Sequence, residues 1–410
     1  SNTFFPIIID KSQHFSVSFD INNLATSLKF TNSNDNQIFL DYQAFQRDKR
    51  SEINALFGKL KVETNELIKE NLKNNIKLIE IEIKNNSKKI IAENQNSFIS
   101  KYIKATLDIV VPETKKDNNG NIIDPKFQYN YYKSHYFDNM EICDISLLHS
   151  PIYEEKINNF LDKIAPQVAD SIIKEVDNFL IKSRCNNEIF KYMLQTLQNK
   201  YLKTEVMGYD AVAIHIAKKY YLKEAKWADS SYLSELSNFV KKCEPLLLGK
   251  QSPDPQFIKI PTSHFKSAID NEALKKNINF GSLFRPSEIK NKFIILIFLE
   301  PDCMYCNKLI PEMYQIYQKI KSKGVEVVAI NILSGDNGKK LWIDFVNKYK
   351  LYDWINAWSP YDYKFKEQFN ITDTPQIFIL DKNKKIIAKK ITPDKCEGII
   401  NYYINKSVTK

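Results

Sequence analysis

A run of seven apolar residues, Phe293–Leu299, is followed after three residues by the first of two cysteines, Cys303 and Cys306. An unbroken apolar run of this length predicts a strand that is buried on both faces in the middle of an α/β sheet. Apolar residues then recur at helical spacing over residues 304–322, and Gly324 ends the pattern. The sequence therefore places a C-x-x-C pair between a central strand and the first turn of a helix.

The start of a helix is a position that favours a cysteine thiolate, because unpaired backbone N–H groups and the positive end of the helix dipole stabilise negative charge there. We therefore expect Cys303 to be the attacking thiolate at neutral pH. Cys306, one turn further into the helix, is expected to be the resolving thiol that displaces a mixed disulfide. Glu300 and Asp302 are predicted to oppose the thiolate if they lie close to it.

Other roles for the cysteine pair remain open. A structural zinc site needs two further Cys or His ligands, but the sequence has no second C-x-x-C, and its five histidines (14, 135, 149, 215 and 264) occur singly. A structural disulfide would close a loop of only four residues, which constrains the unfolded chain little. The pattern thus favours redox chemistry without a metal, and a structural disulfide is the main alternative.

Composition argues against several other classes of protein. The net charge is +10, but only four of the 59 basic residues are arginine, whose forked guanidinium dominates specific recognition of phosphates and bases, so nucleic-acid binding is not expected. None of the nine glycines belongs to a phosphate-binding loop, and Phe293–Leu299, the longest apolar run, is far shorter than the roughly 20 residues of a membrane span. Ser1 and Asn2 resemble a cloning remnant, so the lack of a leader here is uninformative.

The part of the chain before residue 246 is predicted to contain two structural regions. Residues 1–48 hold short strand patterns and are predicted to be a β-strand segment, the remnant of a small β-domain. Residues 49–245 are predicted to form an all-α helical domain, because apolar residues recur there at steps of three and four.

The local patterns in these regions give more detailed expectations. Strands are predicted at residues 5–9 and 15–19, and a helical pattern begins at about residue 38. That pattern is predicted to break near residues 85–88 and 94–97, where Asn and Ser cluster. Residues 112–125 are rich in Asn, Gly and Pro and are predicted to be a loop.

Residues 246–410 are predicted to form an α/β domain, because strand and helix patterns alternate to the end of the chain. Besides the central strand and the helix after it, the predicted elements are strands at 257–260 and 325–333, helices at 339–349, at 361–370 and from 393 onward, and a hairpin that joins 376–381 to 385–391.

A second signal lies about 70 residues after the cysteines, where Thr374 and Pro375 immediately precede the strand pattern of the hairpin. Together with the strand, the C-x-x-C pair and a helix that contains Pro311, this arrangement resembles a thioredoxin fold. The resemblance implies a three-layer α/β/α domain in which Pro375 is a cis-proline that faces the cysteines. It also implies that a substrate chain pairs with the backbone beside Thr374. Thr374, Pro375, Met304 and Tyr305 are accordingly expected to contact substrate.

The match is more specific in the flanking segments. Residues 249–253 (GKQSP) and 380–388 (LDKNKKIIA) resemble the TlpA/ResA-like (AhpC/TSA-related) thioredoxins of bacterial cell envelopes, and the similarity covers residues 246–408. Residues 131–138 and 207–212 are similar to a helical domain of unknown function that precedes such thioredoxins in Bacteroidetes proteins. Residues 15–42 look like the end of the small β-domain found before it.

The resemblance implies a location in the periplasm or cell envelope, with any lipid anchor outside this sequence. It implies protein or peptide disulfides as substrates, a reducing thiol protein as a partner, and no cofactor beyond the redox-active disulfide. Three positions depart from the pattern: Leu309 stands where such reductants often carry an acidic residue, and Met304 and Tyr305 replace a Glu-Pro dipeptide. Without His or Lys between the cysteines, the helix start is expected to be the main stabiliser of the thiolate.

The sequence therefore predicts a thiol-disulfide oxidoreductase of the reductase or isomerase type. The alternative is a non-catalytic binding or scaffold protein of the envelope with a degenerate thioredoxin fold. A peroxidase is disfavoured because Glu300 stands where a peroxiredoxin has Thr, and copper delivery is disfavoured because no His follows His264.

Cys143, Cys185, Cys243 and Cys396 are predicted to be small buried hydrophobes more readily than a second redox site, although pairing among them stays open in an oxidising compartment.

Overall fold

The structure is a computed structural model that describes residues 5–9, 14–23, 27–268, 281–359 and 363–408. The chain divides into two compact units, Ser1–Met193 and Leu194–Lys410. This division falls inside a helix, well before the boundary at residues 245 and 246 that the sequence suggested. The three domain ranges given above therefore stay a prediction.

The N-terminal unit is mainly helical and starts with a short strand pair. Strands β1 (Ser16–Ser18) and β2 (Lys29–Thr31) are antiparallel. The helices are α1 (Asn34–Val62), α2 (Glu66–Glu93), α3 (Phe98–Thr106), α4 (Phe127–His135), α5 (Pro151–Asn159), which runs on into a π-helical turn (Phe160–Ile164), α6 (Ala169–Lys182), and α7 (Asn187–Leu202), which continues into the second unit.

Two predictions for the N-terminal region are wrong. Residues 5–9 form no strand, because the amide of the buried Asn36 bonds both backbone groups of Ile8, at 2.7 Å each, and so replaces a strand partner. The chain is helical from Asn34, so residues 34–48 do not belong to a β segment.

The predicted break of the first helical region is correct at residues 94–97 and wrong at residues 85–88. Helix α2 ends at Glu93, and Ser97 caps α3 by accepting from the N–H of Ser100. Within α2, the buried Ser87 hydroxyl donates to the carbonyl of Ile83 at 3.0 Å. Its polar group is thus satisfied inside the helix, and no break is needed.

The C-terminal unit adds helices to a mixed seven-stranded sheet, which confirms the predicted thioredoxin-like α/β fold. The sheet order is β4-β3-β7-β6-β5-β8-β9. The strands are β3 (Phe257–Lys259), β4 (Ser282–Phe284), β5 (Phe293–Leu299), β6 (Val325–Asn331), β7 (Ile355–Trp358), β8 (Gln376–Leu380) and β9 (Ile386–Lys389). The helices are α8 (Asp210–Ile216), which runs on into a π-helical turn (Ala217–Tyr221) and a last helical turn (Leu222–Glu224), α9 (Ser230–Cys243), α10 (Thr262–Ser267), α11 (Met304–Ile320), α12 (Gly335–Tyr349), α13 (Lys364–Gln368) and α14 (Pro393–Val408).

Strand β5 is central because both of its faces are apolar. It runs parallel to β6 and antiparallel to β8, and all seven of its residues are buried. Ile295 and Ile297 join a core with apolar residues of α11, α12 and α14, whereas Leu296 and Phe298 join a second core on the opposite face with residues of α13. The sheet therefore has helices on both faces.

Some elements of this unit differ from the prediction. Strands β4 and β7 were not predicted, and α12 starts at Gly335 instead of residue 339. Helix α13 lies inside the predicted 361–370 helix, of which residues 361 and 362 are outside the described residues.

The outer side of β9 is hydrogen-bonded to residues 249–252. The N–H of Gly249 donates to the carbonyl of Ile386 at 2.7 Å, and the N–H of Ile386 donates to the carbonyl of Lys250 at 2.9 Å. The N–H of Ser252 donates to the carbonyl of Lys384 at 2.9 Å. This segment contains the glycine and lysine of the GKQSP motif.

The cysteines outside the C-x-x-C pair fall into two groups. Cys143 and Cys185 are exposed and form a disulfide, with Cα atoms 6.1 Å apart, so the prediction of buried thiols is wrong for these two. Their positions after α4 and after α6 bring them together in space although 42 residues separate them. Cys396 is a buried free thiol as predicted, and Cys243 is half-buried and free.

Candidate functional site

The C-x-x-C pair lies where β5 gives way to α11. Cys303 is the N-cap residue of the helix and has an extended backbone, and Cys306 is in the first turn. The N–H of Cys303 donates to the carbonyl of Glu300 at 3.1 Å, and the carbonyl of Cys303 accepts from the N–H of Asn307 at 3.0 Å. These bonds hold the first sulfur at the helix end that carries free N–H groups.

Pro311 lies inside α11, where a proline leaves the carbonyl of Asn307 without its usual helical donor. The hydroxyl of Tyr349, from α12, lies 3.2 Å from that carbonyl oxygen and 2.8 Å from the side-chain Oδ1 of Asn307. The Asn307 side chain donates to the carbonyl of Pro301 at 2.8 Å. The turn that carries the cysteines is thus tied to the loop before it and to a neighbouring helix.

The structure brings Thr374 next to the cysteine pair, 71 residues away in sequence. The Cys303 thiol is 3.4 Å from the carbonyl oxygen of Thr374, and the peptide bond between Thr374 and Pro375 is cis. Strand β8 starts directly afterwards and pairs with β5. This pairing holds the loop that contains Thr374 and Pro375 beside the end of the central strand.

Cys303 has a microenvironment that favours its charged form. Partial burial alone would raise the pKa of this thiol, but hydrogen bonds to the sulfur from the backbone of Cys306, the Thr374 side chain and the backbone of Tyr305 outweigh burial. The net effect lowers the pKa of Cys303 below the ordinary cysteine value of 9.0. Cys303 therefore has the thiolate character expected of a nucleophile.

Cys306 has the opposite character. It is fully buried, and burial raises its pKa to about 12, with a smaller opposing contribution from a hydrogen bond by the backbone of Glu300. The nearby Cys303 raises the pKa of Cys306 further. This thiol is therefore protonated at neutral pH, and both cysteines are free thiols in the structure.

The carboxylate of Glu300 has a partner that sequence reasoning did not anticipate. Its Oε2 accepts a hydrogen bond from the Thr374 hydroxyl at 3.3 Å. The pKa of Cys303 is lowered overall, so any opposition from Glu300 and Asp302 does not outweigh the hydrogen bonds to the sulfur. Asp302 itself is exposed. The only sign of this hydrogen bond in the sequence was an acidic residue, Glu300, three positions before the first cysteine.

Met304 and Tyr305, between the cysteines, extend into solvent. Met304 is 76% exposed and Tyr305 is 63% exposed, which is unusual for large apolar side chains. They form an apolar surface next to Cys303 that a substrate could contact. Among the described residues, no group of three or more His, Cys, Asp or Glu side chains could hold a metal ion.

The described part of the chain contains no helix that is long and apolar enough to span a membrane.

We expect Cys303 to be alkylated faster than the other thiols, with a pH midpoint below 9.0 because its pKa is lowered. Only the thiolate reacts, so the rate should rise with pH through that pKa and then level off. Cys306 should stay unreactive over the same range, since its pKa is about 12. Iodoacetamide labelling of the reduced protein between pH 5 and about pH 9.5, resolved by peptide mass spectrometry, measures both rates. A Cys303 midpoint above that of a free cysteine peptide would contradict the assignment.

Comparison with known proteins supports the thioredoxin-like fold. Residues 291–386 match the thioredoxin-like family model, and residues 92–241 match a domain of unknown function, DUF5106. The chain is similar to the thiol-disulfide oxidoreductase ResA of Bacillus thuringiensis (strain Al Hakam), with 28% identity over 123 residues that cover 29% of this chain and 68% of the relative. ResA of Bacillus subtilis (strain 168) is 26% identical over 125 residues, covering 30% of this chain and 66% of the relative.

Solved structures with similarity to parts of this chain include two from Bacteroidetes-type sources. A thioredoxin-like protein from Bacteroides caccae aligns with a TM-score of 0.49 and 16% identity over 72% of this chain and 98% of the other. A domain of a possible thiol-disulfide isomerase from Cytophaga hutchinsonii is 29% identical, with a TM-score of 0.32, over 40% of this chain and 99% of the other. The chain thus carries a C-terminal thioredoxin-like domain, and a DUF5106 domain precedes it.

Proposed function

We propose that this protein is a thiol-disulfide oxidoreductase of the reductase or isomerase type, which acts on protein disulfides in the cell envelope. The observation that carries the proposal is the difference between the two thiols: Cys303 is partly exposed with a lowered pKa, and Cys306 is buried with a raised one. Attack on a foreign disulfide needs an accessible thiolate, and a delayed second attack needs a protected thiol. The ResA relatives, named thiol-disulfide oxidoreductases, support this reaction class.

In the proposed reaction, the Cys303 thiolate attacks one sulfur of a substrate disulfide, which releases the other sulfur and forms a mixed disulfide. Cys306 then attacks Cys303, so the mixed disulfide breaks and a Cys303–Cys306 disulfide forms. The substrate leaves as a dithiol, and a second thiol protein returns the pair to its reduced state. No cofactor takes part.

The substrate is proposed to lie against Met304, Tyr305, Thr374 and Pro375. The two residues between the cysteines offer exposed apolar surface, and the Thr374 carbonyl is beside the attacking sulfur. An extended peptide segment could therefore bond to the Thr374 backbone while its apolar side chains cover Met304 and Tyr305.

A reductase or isomerase is favoured over a strong oxidant because of what stabilises the thiolate. The pKa of Cys303 is lowered by neutral hydrogen-bond donors, and the two residues between the cysteines carry no positive charge. Strong oxidants depend on a much more stabilised thiolate, with a pKa of about 3.5 in an extreme case. The Cys143–Cys185 disulfide supports an oxidising compartment such as the envelope.

We expect Cys303→Ser to abolish the acceleration by the full chain of insulin disulfide reduction by dithiothreitol, measured above the uncatalysed rate. We expect Cys306→Ser to lose multiple turnover. Cys396→Ser is the matched control, because Cys396 is a buried thiol outside the pair and should leave the rate within about twofold. The same variants are assayed in the reverse direction, oxidation of a peptide dithiol, which should be the slower reaction. Full activity of Cys303→Ser would reject the proposed enzyme.

A further inference from the structure

A cavity of about 500 Å³ lies within the C-terminal unit, where residues of β8 and β9 face the segments 201–210 and 239–246. Its volume is in the range that is usual for sites that bind small molecules. We propose that this cavity binds a small neutral ligand that has an apolar body and a carboxamide group. The proposed redox reaction is not involved, because the residues that line the cavity do not include Cys303 or Cys306.

Much of the cavity wall is apolar and aromatic. Phe369 and Phe378 are fully buried, and Leu246 is 3% exposed. Phe239 is half-buried and adds a third ring to the wall. Aromatic side chains offer a large apolar area, and their rings also pack favourably against the ring of a ligand. The wall therefore favours a ligand whose body is apolar or aromatic.

Two oxygen atoms of side chains that line the cavity lack a hydrogen-bond donor. Gln376 is 2% exposed, and its Nε2 donates to the carbonyl of Phe369 at 3.2 Å. Its Oε1 is buried and has no partner within the described part of the chain. The same holds among the described residues for the buried Oδ1 of Asp210. A buried acceptor without a donor is energetically unfavourable, so both atoms favour a ligand that donates an N–H group.

Lys389 offers the opposite kind of group to the ligand. This residue is only 8% exposed, and its ammonium group donates to Oδ2 of Asp210. That hydrogen bond uses one of the three N–H groups of the ammonium, and another can donate to a ligand carbonyl. A carboxamide both donates and accepts, so it matches the polar groups of this cavity.

The charges of the cavity wall favour a neutral ligand. Among the described residues that line the cavity, Glu205 and Asp210 are acidic, and Lys389 and Lys390 are basic. Burial raises the pKa of the Cys243 thiol, so this cysteine is uncharged at neutral pH. The formal charges therefore cancel. A charged ligand would lose its hydration without a net opposite charge to replace it, whereas a neutral amide loses much less.

Three probes with the same aromatic body test this class of ligand: 3-phenylpropanamide, 3-phenylpropylamine and 3-phenylpropanoic acid. The amide should bind the reduced full chain with a dissociation constant on the order of 1 mM, which is usual for a ligand of this size. The amine and the acid should bind at least about fivefold more weakly, because each is charged and each lacks either the acceptor or the donor. Titrations followed by saturation-transfer difference NMR measure the three dissociation constants.

Gln376→Met should raise the dissociation constant of the amide by about tenfold or more, because methionine has a similar size but only a weak acceptor. Gln198→Met is the matched control. Gln198 is 0% exposed, and its Oε1 also lacks a donor among the described residues, but it does not line this cavity. The control should change the dissociation constant by less than about twofold. Cys243→Leu should also weaken binding, since the larger side chain occupies part of the cavity.

The outcomes are clearly separated. Saturable binding of the amide that Gln376→Met weakens and Gln198→Met does not would support the proposal. Lack of saturable binding by the wild type up to about 10 mM, or equal binding of all three probes, would overturn it. An equal loss in the two glutamine variants would also overturn it. Circular dichroism identifies a loss of fold, and Cys243→Leu provides the test if Gln376→Met does not fold. Cys303→Ser should bind the amide as the wild type does, so this result does not depend on the proposed function.

Discussion

We expect Cys303 to remain covalently joined to its substrate in the Cys306→Ser variant, and we expect this mixed disulfide to be stable enough to isolate. Resolution is intramolecular, and well-oriented intramolecular reactions have effective concentrations of about 10⁵ M or more, which no external thiol matches. The lifetime of the adduct should therefore increase by a factor on the order of 10⁴ or more. Non-reducing electrophoresis after incubation with envelope extract, followed by mass spectrometry of the adducts, measures the trapping and identifies the substrates.

The controls follow from the burial of the other thiols. Trapping should disappear in the double variant Cys303→Ser, Cys306→Ser. It should not appear in Cys396→Ser, whose altered residue is a buried thiol outside the pair. Adducts that still form in a variant without Cys303 would come from another thiol, such as the half-buried Cys243. A complete lack of adducts with Cys306→Ser would favour the non-catalytic binding protein.

Leu296→Ala should lower the free energy of unfolding of the C-terminal unit by about 3 to 4 kcal/mol. Leu296 is fully buried in β5, where it pairs with Val328 of β6 and Phe378 of β8. Its truncation removes apolar contacts and leaves a cavity that a sheet held on both sides cannot close. Guanidinium unfolding monitored by tryptophan fluorescence reports on this unit, since all four tryptophans (227, 342, 354 and 358) lie in it.

Leu283→Ala is the matched control for this substitution. Leu283 belongs to β4, at one edge of the same sheet, and is 63% exposed. The same chemical change should therefore cost no more than about 0.5 kcal/mol. Equal losses for the two leucines would contradict the central position of β5 in the sheet.

The sequence predicts the elements that carry strong periodic signals. The apolar run of β5 and the helical pattern of α11 are each long enough to identify an element and to place the cysteine pair between them. The position of Thr374 and Pro375 before β8 follows from their place next to a strand pattern. The proximity of Thr374 to Cys303 came from the thioredoxin resemblance, since periodicity contains no information on contacts 71 residues apart.

The elements that were missed have weak local signals. Strand β7 is four residues long and contains Asn356, a poor strand former, whose side chain bonds to the carbonyl of Leu351 at 2.7 Å. The Cys143–Cys185 disulfide joins two turns that only the packed helices bring together. The bond between Glu300 and Thr374 likewise depends on the meeting of two loops from distant parts of the chain.

The segment 249–252 along β9 has a consequence for the protection of this sheet edge. An open sheet edge is a template for another polypeptide, and aggregation or domain swapping commonly begins there. Gly249 and Lys250 bond to the outward backbone groups of Ile386, and Ser252 bonds to the carbonyl of Lys384 in the turn before β9, so a foreign strand cannot pair with these groups. The opposite edge strand, β4, is only three residues long and gives a poor template. A truncated domain that starts after residue 252 would lose this protection and should become prone to aggregation.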